Sequence, residues 1–227
     1  MKNVKIIETG DGSHSLLHES LNETYHSRHG AIAESQYVFI EKGLKTLKGS
    51  ADIRILEFGF GTGLNALLTA LYFEDHHAAC EYISLDHQFF EAEVWQRLNF
   101  CKELKSPSAT AFFEKIHQAP LAQNAKIHDR FYLLKRQLDF TQAFDFSTKV
   151  DLVYFDAFAP NYHPEAWERE VLQKAYDCLK TGGVFVTYCA QGALRRNLKD
   201  IGFEVERLPG PPGKREMLRG TKAGVGH

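Results

Sequence analysis

Along most of the chain, short and nearly continuous apolar runs alternate with segments of helical periodicity. Apolar runs of this kind are typical of parallel strands that are covered on both faces. We predict strands at 54–60, at 81–86, within 130–140, at 150–156 and at 183–189. Helices are predicted at 64–73, over most of 88–128, from Pro164 to the glycines at 182 and 183, and at 193–202. The alternation predicts a doubly wound, Rossmann-like α/β domain.

The two ends of the chain depart from this alternation. Residues 203–209 and 214–221 predict two strands joined by "GPPG", which would give the mostly parallel sheet an antiparallel C-terminal edge. Residues 6–19 predict a small hairpin, and residues 22–44 predict a helix, a loop and a second helix. We therefore expect an N-terminal extension (1–50) packed on the core, a main domain (51–221) and a tail (222–227).

Composition narrows the class of protein. The chain has 227 residues, of which 44% are hydrophobic and 25% charged, as in soluble globular proteins. The four cysteines form no C-x-x-C pair, so we expect no metal site and no disulfide scaffold, and a reducing cytosol suits them. The N-terminus lacks the apolar segment of a signal peptide, and no window approaches eighteen apolar residues. A cytoplasmic protein without membrane contact is expected.

Charge is distributed unevenly along the sequence. The formal net charge is −2, so any contact with nucleic acid needs a local basic patch. From Gln191 onward, eight Lys and Arg residues stand against four Asp and Glu residues. This surplus indicates either a basic surface for nucleic acid or an ordinary solvated face.

A glycine-rich loop follows the first predicted strand of the main domain. Glu57, Gly59, Gly61 and Gly63 form the pattern E-x-G-x-G-x-G. Glycines let such a turn be tight and let a ligand lie against bare backbone. A dinucleotide fingerprint would need a further glycine where Leu64 stands, and the chain contains no P-loop motif.

The loop resembles the first motif of class I S-adenosylmethionine (SAM) methyltransferases. The resemblance implies that Glu57 lies near the amino-acid part of SAM. It also implies that Asp86, at the end of the second strand, accepts the ribose hydroxyls, and that Asp139, after the third strand, faces the adenine amino group. The alternatives are a strand-end cap for Asp86 and a solvent-facing turn for Asp139.

The fourth strand delivers Asp156 to the edge of the sheet where ligands of open α/β folds bind. There Asp156 would face both the methyl group of SAM and the acceptor. A carboxylate suits an amine acceptor, because it can hold the amine by a charge-assisted hydrogen bond and accept its proton. The alternative is that Asp156 caps the helix that follows.

Four segments occur in order and carry a more specific resemblance. They are "HSRHGAIAES" (26–35), "ILEFGFGTGLNALL" (55–68), "DAFAPNYHPEAW" (156–167) and "KREML" (214–218). Together they resemble the methyltransferase domain of the tRNA 5-methylaminomethyl-2-thiouridine synthesis family. The resemblance implies SAM-dependent methylation of the aminomethyl group on the tRNA wobble uridine, with Asp156 at the transfer site. Many members carry an FAD-dependent oxidase domain; here we expect a stand-alone methyltransferase without flavin, and a separate oxidase acting upstream.

Several further residues are predicted to bind the substrate. Tyr25 and Glu34 belong to the N-terminal motif. Tyr25 would border the aminomethyl pocket, with packing alone as the alternative, and Glu34 would assist with its charge. Phe158 is predicted to stack on a base of the anticodon loop, with loop packing as the alternative. Lys214 and Arg215 would contact tRNA phosphates.

Two other functions compete with tRNA modification. The first alternative is a SAM-fold transferase that acts on a small-molecule amine. The second is a non-enzymatic subunit that only retains the fold, which the intact glycine loop, Asp86 and Asp156 disfavour.

Overall fold

A computed structural model describes residues 4–47, 49, 52–144 and 146–224 of the chain. Its strands are β1 (Val4–Glu8), β2 (His14–His18), β3 (Glu23–Thr24), β4 (Ile53–Phe58), β5 (Cys80–Asp86), β6 (Asn124–His128), β7 (Phe131–Gln137), β8 (Val150–Phe155), β9 (Leu179–Thr187), β10 (Phe203–Pro209) and β11 (Glu216–Lys222). Its α-helices are α1 (Ala31–Ser35), α2 (Leu64–Glu74), α3 (Ala92–Trp95), α4 (Phe100–Leu104), α5 (Ala109–Gln118), α6 (Arg169–Cys178) and α7 (Gly192–Ile201).

The central sheet has the strand order β10-β11-β9-β8-β4-β5-β7-β6 within the described residues. Strands β9, β8, β4, β5 and β7 run parallel, whereas β6 and the β10–β11 pair are antiparallel to their neighbours. The predicted mostly parallel sheet with an antiparallel C-terminal edge is confirmed. The chain proceeds from β4 outward to β5 and later returns to β8 on the other side, so the strand order reverses beside β4. Ligands of open α/β sheets bind at such a switch point.

The core lies on both faces of this sheet, because successive side chains of a strand point to opposite faces. Ile55 belongs to a buried cluster with Leu67 of α2, and Leu56, the next residue of β4, belongs to a second cluster with Val171 of α6. Burial on both faces explains why these strands are continuous apolar runs in the sequence.

The N-terminal segment forms a small antiparallel sheet of its own. Strands β1 and β2 make the predicted hairpin, and its turn is closed by hydrogen bonds between Thr9 and Ser13. The helix predicted at the start of 22–44 is wrong: Glu23–Thr24 instead pairs with β2 as a third strand. Helix α1 then continues as a π-helical segment, Gln36–Glu41.

This segment packs against the C-terminal hairpin of the main sheet. The Tyr37 hydroxyl donates a hydrogen bond to the Pro209 carbonyl (3.0 Å), and the Arg219 guanidinium donates one to the Lys42 carbonyl (3.3 Å). The predicted boundary between residues 50 and 51, and residues 225–227 of the predicted tail, lie outside the described residues.

The structure corrects two further element predictions. The segment 88–128, predicted to be mostly helical, contains three short helices and ends in the edge strand β6. The helix predicted from Pro164 to the glycines is a 3₁₀ turn, Pro164–Trp167, followed by α6, which ends at Cys178. Strand β9 begins at the buried Leu179 and passes through Gly182, whose φ of +77° accompanies an irregular register against β8. No helix in the described part of the chain is long and apolar enough to cross a bilayer.

Candidate functional site

A cavity of about 390 Å³ opens at the carboxyl ends of β4, β5 and β8, where the strand order reverses. Its volume is within the range of small-molecule and cofactor sites. The wall combines the N-terminal segment, the glycine loop, the strand ends and the β10–β11 loop. Its residues include Tyr25, Arg28, Glu34, Gly59, Gly61, Asp86, Gln88, Phe90, Phe140, Asp156, Phe158, Tyr188 and Lys214.

The three glycines of the loop have different surroundings. Gly59 has φ +95°, and a Cβ there would lie 2.5 Å from the carbonyl oxygen of Asp156, so only glycine lets the two loops meet. Gly59 and Gly61 both line the cavity. Gly63 precedes α2 outside the lining, and a Cβ there would lie 2.9 Å from the Phe60 ring. Gly63 therefore serves the packing of the helix start.

Asp86 joins β5 to the glycine loop. Its Oδ2 accepts the backbone N–H groups of Phe60 (2.9 Å) and Gly61 (3.1 Å), and its Oδ1 accepts that of Gln88 (3.0 Å). The side chain also lines the cavity. Asp86 thus fixes the shape of the loop, and its carboxylate lies at the cavity.

Glu57 lies beneath the glycine loop and not in the cavity wall where the sequence placed it. Its carboxyl is fully buried, and it accepts hydrogen bonds from Ser84 Oγ (2.6 Å) and Asn65 Nδ2 (3.2 Å), which hold it away from the cavity. Burial raises its pKa to about 8, and the charge of Asp156 acts in the same direction. Glu57 is therefore mainly neutral at pH 7.

Asp156 follows β8 and forms part of the cavity wall. Its N–H donates to the Phe58 carbonyl (2.9 Å), and its Oδ2 accepts a hydrogen bond from Asn65 Nδ2 (2.8 Å). Burial, together with the nearby Glu34, raises its pKa to about 7, against the opposing effects of Asn65 and Lys214. A carboxyl with this pKa can both bind and release a proton near neutral pH.

Glu34 and Lys214 form an ion pair in the wall beside Asp156. The buried Glu34 accepts the Ser27 N–H (2.8 Å) and contacts Lys214 Nζ at 2.5 Å. Lys214 Nζ also lies 3.8 Å from the centroid of the Tyr188 ring. The ammonium of Lys214 thus lies in the cavity wall beside Glu34, and its contact with tRNA phosphates stays a prediction. Arg215, by contrast, is exposed.

Aromatic rings from two segments form one side of the cavity. Tyr25 packs edge-on against Phe158, with centroids 4.7 Å apart, and against Phe90 at 5.4 Å. Burial raises the pKa of Tyr25, with the charge of Asp86 adding to the effect, so its hydroxyl is neutral. Tyr25 and Phe158 thus pack against each other and also line the cavity.

Asp139 is not among the residues that line the cavity, and its contact with adenine stays a prediction. Its side chain is exposed, and its Oδ1 accepts hydrogen bonds from the N–H (2.9 Å) and hydroxyl (2.6 Å) of Thr141. This local turn occupies the carboxylate. The neighbouring Phe140, which is 6% exposed, lines the cavity instead.

Sequence reasoning missed three residues of the site: Asn65, Phe140 and Tyr188. Asn65 is 2% exposed and is a polar residue within the apolar start of α2, which is a recognisable signal. Phe140 directly follows Asp139 in the sequence. Tyr188 lies at the end of an apolar strand and gives no signal in the sequence.

The cavity suits a nucleoside that carries an amino-acid group. Gly59 and Gly61 offer bare backbone, Asp86 offers a carboxylate, and aromatic rings line one wall. The buried Oε1 of Gln88 has no hydrogen-bond partner among the described residues. It is therefore free to accept a hydrogen bond from a ligand. A parallel sheet with these groups at its switch point defines a class I SAM-dependent methyltransferase.

The profile of a family described as S-adenosyl-L-methionine-dependent methyltransferase matches residues 107–223. The chain belongs to this family, and SAM is its cofactor. Predictions of the fold class and of the cofactor are thereby confirmed.

Two curated relatives carry the name tRNA 5-methylaminomethyl-2-thiouridine biosynthesis bifunctional protein MnmC. The protein from Pseudoalteromonas translucida (strain TAC 125) is 28% identical over 224 residues, which cover 88% of this chain and 34% of the relative. The protein from Leptospira interrogans is 31% identical over 221 residues, covering 89% and 33%. The chain thus spans about a third of the length of the curated relatives it matches. The crystal structure of MNMC2 from Aquifex aeolicus matches with a TM-score of 0.79 at 26% identity, covering 99% of this chain and 72% of that one.

Proposed function

We propose that this chain methylates the aminomethyl group of 5-aminomethyl-(2-thio)uridine at the tRNA wobble position, giving 5-methylaminomethyl-(2-thio)uridine. The observation that carries the proposal is Asp156, a carboxyl with a pKa of about 7 in the wall of a cavity that suits SAM. The names of the relatives point to the same modified nucleoside.

Asp156 suits an amine acceptor for a specific reason. An alkylamine is mainly protonated at neutral pH, so its nitrogen lone pair is occupied by the proton. Methyl transfer needs this lone pair to be free. The Asp156 oxygen that Asn65 does not engage would hold the amine and accept its proton. SAM supplies the methyl group when bound, and Gly59, Gly61 and Asp86 would hold it.

The rim of the cavity offers contacts for a nucleic acid. A base turned out of the anticodon loop could lie against Tyr25 and Phe158, since single-stranded RNA is bound by stacking on aromatic side chains. Arg28 and Arg215 are exposed and would contact phosphates. We expect an FAD-dependent oxidase to supply the aminomethyl group.

One observation favours the second candidate, a small-molecule amine. Among its Asp, Glu, Lys and Arg residues, the cavity lining has four carboxyls and two cations: Glu23, Glu34, Asp86 and Asp156 against Arg28 and Lys214. Such a surplus would attract a cationic amine. The ion pair with Lys214 neutralises Glu34, however, which reduces the surplus.

The two candidates are separated by one experiment. The protein is incubated with methyl-labelled SAM and with tRNA that lacks the modification, and the digested nucleosides are identified. With the unmodified protein we expect label in 5-methylaminomethyl-(2-thio)uridine. With the Asp156→Ala variant we expect no label in this nucleoside. The protein is also incubated with labelled SAM and a panel of polyamines and amino sugars. If these amines become labelled and the tRNA does not, the small-molecule amine is favoured.

A further inference from the structure

Asn65 occupies a position between two buried acids. It lies in the first turn of α2, and its side chain is 2% exposed. Its Nδ2 donates to Asp156 Oδ2 at 2.8 Å and contacts Glu57 Oε1 at 3.2 Å. A primary amide carries two N–H groups, so both are used, one on each carboxyl.

Glu57 and Ser84 determine the orientation of the Asn65 amide. Glu57 accepts the Ser84 hydroxyl on its second oxygen at 2.6 Å, which leaves Oε1 facing Asn65. A flipped amide would turn its Oδ1 toward the ionised Asp156 carboxylate and would lose the donor contact to Asp156 Oδ2. In the orientation observed, Asn65 Oδ1 is buried without a hydrogen-bond partner among the described residues. Leaving this oxygen unsatisfied is unfavourable, so the two donor contacts dominate the arrangement.

We propose that Asn65 is the positioning residue for Asp156: its amide fixes Oδ2 and leaves Oδ1 to receive the substrate. Glu57 and Ser84 support the amide from the sheet side. The inference deepens the proposed function and rests on it, because it concerns how the acceptor carboxyl is oriented.

Other charged and titratable groups face Asp156 from every surrounding element. They are Glu57 at the end of β4, Glu34 of α1, Lys214 of the β10–β11 loop and Tyr188 after β9. The cavity lining adds Glu23, Tyr25, Arg28, Asp86, His87 and His163. Within the described part of the chain, Asn65 is the side chain that donates a hydrogen bond to the Asp156 carboxylate. Substituting it by alanine removes that bond and changes no charge.

The kinetic test compares Asn65→Ala with Thr69→Val. Thr69 lies one turn further along α2, is fully buried, and donates its hydroxyl to the Asn65 carbonyl (2.7 Å), so its valine variant controls for the loss of a buried polar group. For Asn65→Ala we expect kcat at pH 7 to fall about tenfold or more. The Asp156 carboxylate would lose its fixed orientation, and its pKa would rise, so that less of it is ionised at pH 7. The acid limb of the kcat profile should move up by about one pH unit. KM for tRNA and the Kd of SAM should change little, and Thr69→Val should resemble the unmodified protein.

The second readout needs neither SAM nor substrate. Carboxyl-¹³C NMR of protein labelled at aspartate follows the titration of Asp156, which is assigned by its loss in Asp156→Asn. We expect its midpoint to rise by about one pH unit in Asn65→Ala. If the alanine variant does not fold, Asn65→Leu keeps a side chain of similar size, removes the donors and adds no charge, and the midpoint should rise there as well.

The two readouts separate the inference from the function beneath it. An unchanged midpoint together with unchanged kcat in Asn65→Ala overturns the positioning role. If the unmodified protein methylates no tRNA, the proposed function fails, and the NMR titration still decides whether Asn65 controls Asp156.

Discussion

Lys214 and Glu34 lie 180 positions apart in the chain and form an ion pair, with 2.5 Å between Nζ and Oε1. The pair joins α1 to the β10–β11 loop at the cavity wall. Removal of one partner leaves a buried charge without compensation, which is more costly than the pair is favourable. Lys214 and its neighbour Arg215 are therefore expected to differ in function, although both are basic.

Separate alanine variants test this difference. Lys214→Ala should lower the free energy of unfolding by about 1–3 kcal/mol, because Glu34 stays buried without its cation. Arg215→Ala should change it by less than about 0.5 kcal/mol and should reduce the salt slope of tRNA binding by about 1. Denaturant unfolding and binding titrations at several salt concentrations measure both. Equal effects of the two variants on both quantities would contradict the assignment.

Replacement of Asp156 should separate cofactor binding from turnover. In Asp156→Ala we expect the Kd of SAM to change by less than about threefold, whereas methylation falls by about 10²–10⁴-fold because the proton acceptor is lost. Calorimetry and methyl incorporation measure the two effects. Full turnover by this variant would remove Asp156 from the chemistry.

The raised pKa of Asp156 predicts the direction of the pH dependence. Protonated Asp156 cannot accept a proton, so activity should fall as the pH drops through about 7, well above the ordinary range of an aspartate. The acid limb of kcat/KM, which reports the free protein, should lie near this value. A profile with the same limb in Asp156→Ala would assign the limb to another group, such as the substrate amine.

Glu57 should make stability depend on pH. Its folded pKa of about 8 exceeds the ordinary value of 4.5, so the folded state binds more protons between these values and stability declines as the pH rises through them. Glu57→Gln can keep both contacts, with Asn65 and Ser84, without an ionisable group. The variant should gain at least about 1 kcal/mol over the unmodified protein between pH 5 and pH 8, since each pKa unit corresponds to about 1.4 kcal/mol. Urea unfolding at the two pH values decides; a gain that is equal at both would rule out titration of Glu57.

Asp86 and Asp139 were both predicted to bind SAM, and the structure distinguishes them. Asp86→Ala should raise the Kd of SAM about tenfold or more and should lower Tm without ligand, because three backbone N–H groups lose their acceptor. Asp139→Ala serves as the matched control, since its carboxylate is exposed and accepts hydrogen bonds from the neighbouring Thr141. A change in SAM affinity of similar size in both variants would return Asp139 to the site.

The sequence predicted what depends on local pattern. The parallel strands follow from apolar runs, and the position of Asp156 follows from the rule that ligands bind at strand ends, whereas the role of Asp86 came from the resemblance to SAM methyltransferases. Strand β3 was missed because two residues have no measurable period. The roles of Asn65 and Lys214 depend on partners 91 and 180 positions away, which no local pattern encodes.

The cavity wall draws on Tyr25 and on Lys214, so it unites segments from near both ends of the described chain. A chain emerging from the ribosome can assemble β4, β5 and β8 well before residue 214 has left the exit tunnel. Such a nascent protein would possess the cofactor loop while lacking the wall that faces the acceptor. Competence for substrate would therefore arise only after residue 214 has emerged, when most of the parallel sheet has already formed.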